Sequence, residues 1–150
     1  MTYDNLDVKI IESLSEDGRK SLRSVAEELD VSVTTISNHL DDMRDEGIIK
    51  GFKPVLNYPE LGYTVTCALM IKAEGDSIRE LVGELEEEDS LIYVYEITGD
   101  FDVIAIGKFR NTERMNDMIK KLLNSPTVKE TNTNVVLSTV KEDEGIDFEY

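Results

Sequence analysis

The sequence predicts an α+β chain, with an N-terminal winged helix-turn-helix followed by a ferredoxin-like βαββαβ domain. Three observations predict it. Residues before about position 47 repeat their apolar side chains at helical spacing, residues from about 63 onward alternate between strand and helix patterns, and Pro54 and Pro59 bracket a short connection between the two. The expected organisation is residues 1–57 for the helical domain with a wing or linker strand, 58–140 for the βαββαβ domain, and 141–150 for an acidic tail.

The first helix is expected at Asn5–Glu16, where Leu6, Ile10 and Leu14 share a face and Asp7 faces the positive helix end. Asp17–Gly18 ends it. A second helix is expected at Ser21–Leu29, with Leu22, Val25, Ala26 and Leu29 inward. A third, Val33–Glu46, is capped by Ser32, buries Ile36, Leu40 and Met43, and stops at Gly47, a position suited to a left-handed C-cap. Ile48–Leu56 then reads as a strand or small wing carrying Lys50 and Lys53.

In the second half, a strand at Tyr63–Ala73 leads to a helix at Ser77–Glu88, opened by a Ser77-x-x-Glu80 capping box. Strands at Leu91–Thr98 and Asp102–Phe109 meet at Gly99–Asp100. A helix at Thr112–Asn124 precedes the last strand, Val128–Val140. This order is the ferredoxin-like motif.

The charge sign is the unusual bulk property. The 150 residues hold 32 acidic and 16 basic side chains, a net charge of -16. Such a chain repels itself in dilute salt, and at multimolar salt, where the Debye length falls below roughly 3 Å, that repulsion fades. Adaptation to a high-salt cytoplasm is the preferred explanation, with an ordinary acidic protein as the alternative. Residues 1–57 are the less acidic part, with 12 acids against 7 bases, whereas residues 58–150 have 20 against 9. Cys67 is the single cysteine, so no internal disulfide forms, and its apolar surroundings assign it to packing. No secretory leader pattern and no apolar run of membrane-spanning length is present, which leads to the expectation of a cytoplasmic protein without membrane contact.

Ser21–Gly47 carries the functional signal. In a helix-turn-helix, a small residue in the second helix admits the third, and an apolar residue of the third packs back; Ala26 and Ile36 stand at these places. Asp30 occupies the turn, and Asp tolerates the left-handed region better than most residues. The outward face of the third helix then presents Val33, Thr34, Ser37, Asn38 and Asp41. Ser and Thr hydroxyls hydrogen-bond bases, Asn pairs adenine bidentately, and methyl groups touch thymine, so double-stranded DNA is the expected partner. A plain three-helix bundle with a polar outer face is the bland alternative.

Whole motifs then resemble the Lrp/AsnC family of leucine-responsive and asparagine regulators. The family opening appears as Leu6-Asp7-Val8-Lys9-Ile10-Ile11, followed by Asp17-Gly18-Arg19-Lys20-Ser21 and by Val25-Ala26-Glu27-Glu28-Leu29-Asp30-Val31-Ser32. The closing segment is Glu46-Gly47-Ile48-Ile49-Lys50-Gly51-Phe52, and the second domain carries Gly99-Asp100-Phe101-Asp102. The resemblance implies a DNA-binding transcriptional regulator whose second domain pairs subunits into homodimers, in many members octamers, and senses an amino acid near the Gly-x-Phe-Asp turn. Together with the charge, it leads to the expectation of a halophilic archaeal source.

One departure from the family is chemical. Where the third helix usually carries arginines, this chain has Asn38, His39, Asp41 and Asp42. Cations near phosphate supply most non-specific affinity. That role falls to Arg19, Lys20, Arg23, Lys50 and Lys53, with Ser21, Ser32, Thr34 and Thr35 as neutral phosphate donors and His39 as a further donor or a spacer. The expected effector residues are Gly99, Asp100, Phe101 and Asp102, whose amides and carboxylates suit a carboxylate and an α-amino group, with Thr131 and Thr133 as polar partners on the last strand. An ordinary solvated hairpin turn is the alternative there.

Enzyme chemistry finds little support. One histidine and one cysteine leave no ordinary zinc spacing, no phosphate loop occurs, and Glu84–Asp89 reads as a hydrated helix face. No catalytic residue, resident cofactor or metal is expected. Sirohaem decarboxylases resemble the same two-domain family and use histidines in the second domain, where residues 58–150 contain none. An acidic protein-binding adaptor remains as the other alternative.

Overall fold

A computed structural model describes residues 4–143, 145 and 148. The described residues divide into two compact units, 4–55 with the described residues after 140, and 56–140. Residues 144, 146, 147, 149 and 150 of the expected acidic tail lie outside the described residues.

The first unit contains α1 (Asn5–Glu16), α2 (Leu22–Leu29) and α3 (Val33–Asp45). Ile10, Val25, Ala26, Ile36 and Met43 meet in its core, with Leu14 and Leu40 at the margin and Ile48 and Ile49 packed against it. Asp30 adopts φ 54°, ψ 46°, which turns the chain between α2 and α3 as its residue type allows. Gly47 has φ 74°, the left-handed stop expected after α3. Residues 48–56 were expected as a strand or wing. They pair with no strand among the described residues and run as irregular chain, since a strand needs a ladder partner and Pro54 has no N–H to offer one.

The second unit opens with a 3-10 turn at Pro59–Leu61 that the apolar pattern does not announce. It continues with β1 (Val65–Ala73), α4 (Ile78–Glu86), β2 (Leu91–Glu96), β3 (Val103–Phe109), α5 (Thr112–Leu123) and β4 (Val128–Val135). The sheet order is β2-β3-β1-β4, with every neighbouring pair antiparallel. The strands alternate, so Cys67, Leu69, Ile71, Val103 and Ala105 are buried with Leu81 and Leu85 of α4 and Met115, Met118 and Leu122 of α5. The opposite face presents Ala68, Met70, Ile104, Ile106, Tyr93 and Tyr95, more open to solvent.

Two helix caps differ from the sequence pattern. Ser77 precedes α4 at φ -80°, ψ 8°, outside the extended region an N-cap needs, and its side chain makes no capping bond, so the Ser77-x-x-Glu80 box does not form. The box that does form is at α1. There Asp4 accepts from the Leu6 and Asp7 amides, and Asp7 accepts from the Asp4 amide.

Candidate nucleic-acid interface and sensor turn

Ala26 is 3% exposed and Ile36 fully buried, so α3 sits close against α2 as the ten-residue spacing requires. This packing turns Val33, Thr34 and Asn38 outward and leaves Ser37 partly exposed. Ser32 caps α3: its hydroxyl accepts from the Thr35 amide at 3.0 Å and lies 2.8 Å from the Thr35 hydroxyl. Ser21 caps α2 in the same way, through the Ser24 amide at 3.0 Å. The hydroxyls of Ser21, Ser32 and Thr35 are therefore first of all capping groups.

The cations fall into two groups. Arg19, Lys50 and Lys53 are exposed. Arg23 is also exposed, and its bond to Glu27, one helical turn along the surface at 2.9 Å, is of a kind that contributes little and opens readily. Lys20 is different. Its ammonium lies 2.9 Å from Glu28, 3.0 Å from the Ser13 hydroxyl and 3.5 Å from Glu16, with 19% of the side chain exposed. The Glu28 carboxylate holds the Lys20 pKa above its ordinary value. In this geometry the ammonium braces α1 against α2, with a nearby carboxylate and a hydroxyl as its partners.

His39 is also drawn inward. Its Nδ1 lies 2.7 Å from Asp7 Oδ1, and Asp7 is 7% exposed. The sole histidine of the chain therefore links α3 to the start of α1 as a tether. Asp4, Asp7 and His39 place donor atoms within 4.8 Å of one another. Both Asp7 oxygens and Asp4 Oδ1 already accept hydrogen bonds, so the group is a capping cluster. The Asp7 amide is the chief influence holding the Asp4 carboxyl below its usual range; burial opposes it, and the Leu6 amide and the His39 charge add to it. Neither the tether nor the Ser13–Lys20–Glu28 brace is visible as a sequence motif, since each joins residues of different helices.

At the second unit, Gly99 has φ 114°, a conformation side chains rarely adopt, and a Cβ built there would meet nothing within 4 Å. Gly99 and Asp100 are exposed, and Phe101 and Asp102 partly so. Asp102 has a structural role. Its carboxylate accepts from the Ala73 amide at 2.8 Å, where the β1–β4 register shifts, and its own amide donates to the Ile71 carbonyl. Thr131 and Thr133 pair with Ile71 and Leu69 on the helix-covered face. In the sheet, β1 lies between their strand and β3, two strand spacings or about 10 Å across.

Comparisons with known proteins bear on both units. Residues 66–146 match the profile of the Lrp/AsnC ligand-binding domain, and residues 3–50 that of a winged helix-turn-helix DNA-binding domain. The protein belongs to the Lrp/AsnC family of transcriptional regulators. A regulator of the helix-turn-helix type from Pyrococcus horikoshii is 44% identical over 143 residues, covering 95% of this chain and 97% of its own. Regulator FL11 of Pyrococcus furiosus is 32% identical, covering 93% and 92%. Among solved structures, AsnC of E. coli superimposes with a TM-score of 0.88 at 26% identity over 95% of this chain and 97% of its own. A Neisseria meningitidis regulator solved as an L-Met complex shares the fold, with a TM-score of 0.90 at 18% identity over 97% of each chain. The chain is thus a DNA-binding transcriptional regulator by family, a reading that stands against the sirohaem-decarboxylase alternative.

Proposed function

We propose that this regulator reads DNA as a homodimer through Val33, Thr34, Ser37 and Asn38, and that an amino acid held at the Gly99–Asp102 turn alters its assembly. The observation that carries the reading is the outward display of those four side chains on a helix whose other face is locked against Ala26. Two copies present two such helices at a fixed spacing, which suits a palindromic site with half-sites one helical turn or a multiple apart.

The helix-free sheet face supports the dimer. Ala68, Met70, Ile104 and Ile106 form an apolar strip flanked by Tyr93 and Tyr95, whose rings stack at 6.0 Å and 11°. Sheet-to-sheet contact between copies buries it, and an octamer is the further step. The effector reading is supported by the match to a ligand-binding domain and by the solved relative with L-Met. In it the turn amides hold the carboxylate, Asp100 and the remaining oxygen of Asp102 face the amino group, and Thr131 and Thr133 are contributed from another subunit. An effector acts only by binding one assembly better than another.

Arg19, Arg23, Lys50 and Lys53 carry the phosphate contacts, with Thr34 and the capping hydroxyls of Ser21, Ser32 and Thr35 as neutral ones. The net charge of -16 and the acidic third helix fit a cytoplasm of high salt, where counterion release yields little free energy and missing cations cost less. Genome-wide occupancy at high KCl, with and without candidate amino acids, tests the proposal. It predicts discrete palindromic sites whose occupancy changes with one amino acid. Occupancy without sequence preference would overturn the base-reading assignment.

A further inference from the structure

We infer that Arg110, seated on Tyr63 at the end of the sheet where the chain enters the second unit, is a DNA-phosphate contact. Its guanidinium carbon lies 4.7 Å from the centre of the Tyr63 ring. Tyr63 meets Tyr58 edge to face at 6.2 Å, and the Lys108 ammonium lies 5.4 Å from the Tyr58 ring centre, so the aromatic pair beneath Arg110 is itself held in place. Gly62 makes room for this arrangement: a Cβ there would stand 3.2 Å from an Arg110 guanidinium nitrogen. The Thr64 hydroxyl donates to the Arg110 carbonyl at 3.0 Å and fixes the backbone beneath.

The choice of partner follows from charge. This chain has twice as many acids as bases, 32 against 16. Even so, among the described residues no carboxylate pairs with Arg110, which is exposed. A guanidinium held on an aromatic face and against a glycine has less freedom to lose on meeting an anion, and its forked donors match a phosphate. Five steps, at most about 18 Å of extended chain, link Tyr58 to Lys53 of the DNA-binding unit. Arg110 adds a guanidinium to a chain whose third helix carries only Arg44, in its last turn. The inference rests on DNA binding through the helix-turn-helix.

Titration of the full chain with a promoter duplex over a KCl series tests it, using wild type, Arg110→Gln and Arg110→Lys. Arg110→Gln is expected to weaken binding several-fold at the lowest salt and, since a homodimer carries two copies, to shift the slope of log affinity against log salt by about two in the positive direction, and Arg110→Lys to restore the wild-type slope. Equal slopes and affinities for wild type and Arg110→Gln would overturn the inference while leaving the helix-turn-helix reading intact. If Arg110→Gln dissociates the oligomer in sedimentation runs and leaves the slope unchanged, a carboxylate of a second copy is the partner and the phosphate assignment is wrong. A wild-type chain that binds no promoter duplex overturns both readings.

Discussion

His39 Nδ1 lies 2.7 Å from Asp7 Oδ1, and through this bond the capped start of α1 holds the middle of α3, the helix that faces DNA. Asp7 serves twice, since its other oxygen closes the capping box with the Asp4 amide at 2.8 Å. Asp7→Ala therefore removes a cap and a tether together and is expected to cost about 2 kcal/mol, against about 1 kcal/mol for His39→Ala. Urea unfolding of both single variants and the double variant checks this. The double variant should be less destabilised than the sum of the singles, and strict additivity would show the two residues to be uncoupled.

The Lys20–Glu28 brace predicts a pH dependence. The Lys20 ammonium is the largest influence depressing the Glu28 pKa, the Ser13 hydroxyl adds to it, and burial opposes it. A carboxylate depressed in the folded state contributes stability that is present above its ordinary value, near 4.5, and lost as pH falls through the depressed value. The acid limb of the stability curve should thus be shallower in Lys20→Met than in wild type below about pH 4.5. Thermal melts across that range decide it, and parallel acid limbs would refute the brace.

Gly107 sets a packing limit in the second unit. A Cβ there would stand 2.6 Å from the Phe109 ring, which is 3% exposed and closes the β3 end of the core. Gly107→Ala must displace that ring and is expected to destabilise by about 1–3 kcal/mol in denaturant unfolding. Gly51→Ala, with nothing within 4 Å of its Cβ, is the control that should change little.

Asn38 is exposed on the outward face of α3, and its side chain braces no other element among the described residues. Asn38→Ala should leave the melting temperature within about a degree or two, yet lower affinity for the cognate site by about 1–3 kcal/mol and relax preference at one adenine position. Selection of binding sites from a random pool by wild type and variant measures this; an unchanged consensus would remove Asn38 from the base-reading set.

Much of the fold was legible because periodicity reports burial. The bounds of α1 are those expected from Leu6, Ile10 and Leu14, and Asp30 and Gly47 turn where their residue types allow positive φ. Local caps were less legible. Ser77-x-x-Glu80 has the letters of a capping box but the wrong backbone at Ser77, whereas the working box uses Asp4 and Asp7, two carboxylates in place of the usual pair. The surroundings of the cations were the least legible part. Residue type alone cannot reveal that Lys20 is paired across helices with Glu28, or that Arg110, sixty residues beyond Lys50, is stacked and open.

The measurement that bears most directly on the central claim is affinity for the protein's own promoter as KCl rises from moderate to multimolar. A base-reading helix almost devoid of cations, with phosphate contacts on its flanks, predicts affinity that changes little or rises with salt. A steep fall over that range would contradict it and show that cations dominate binding after all.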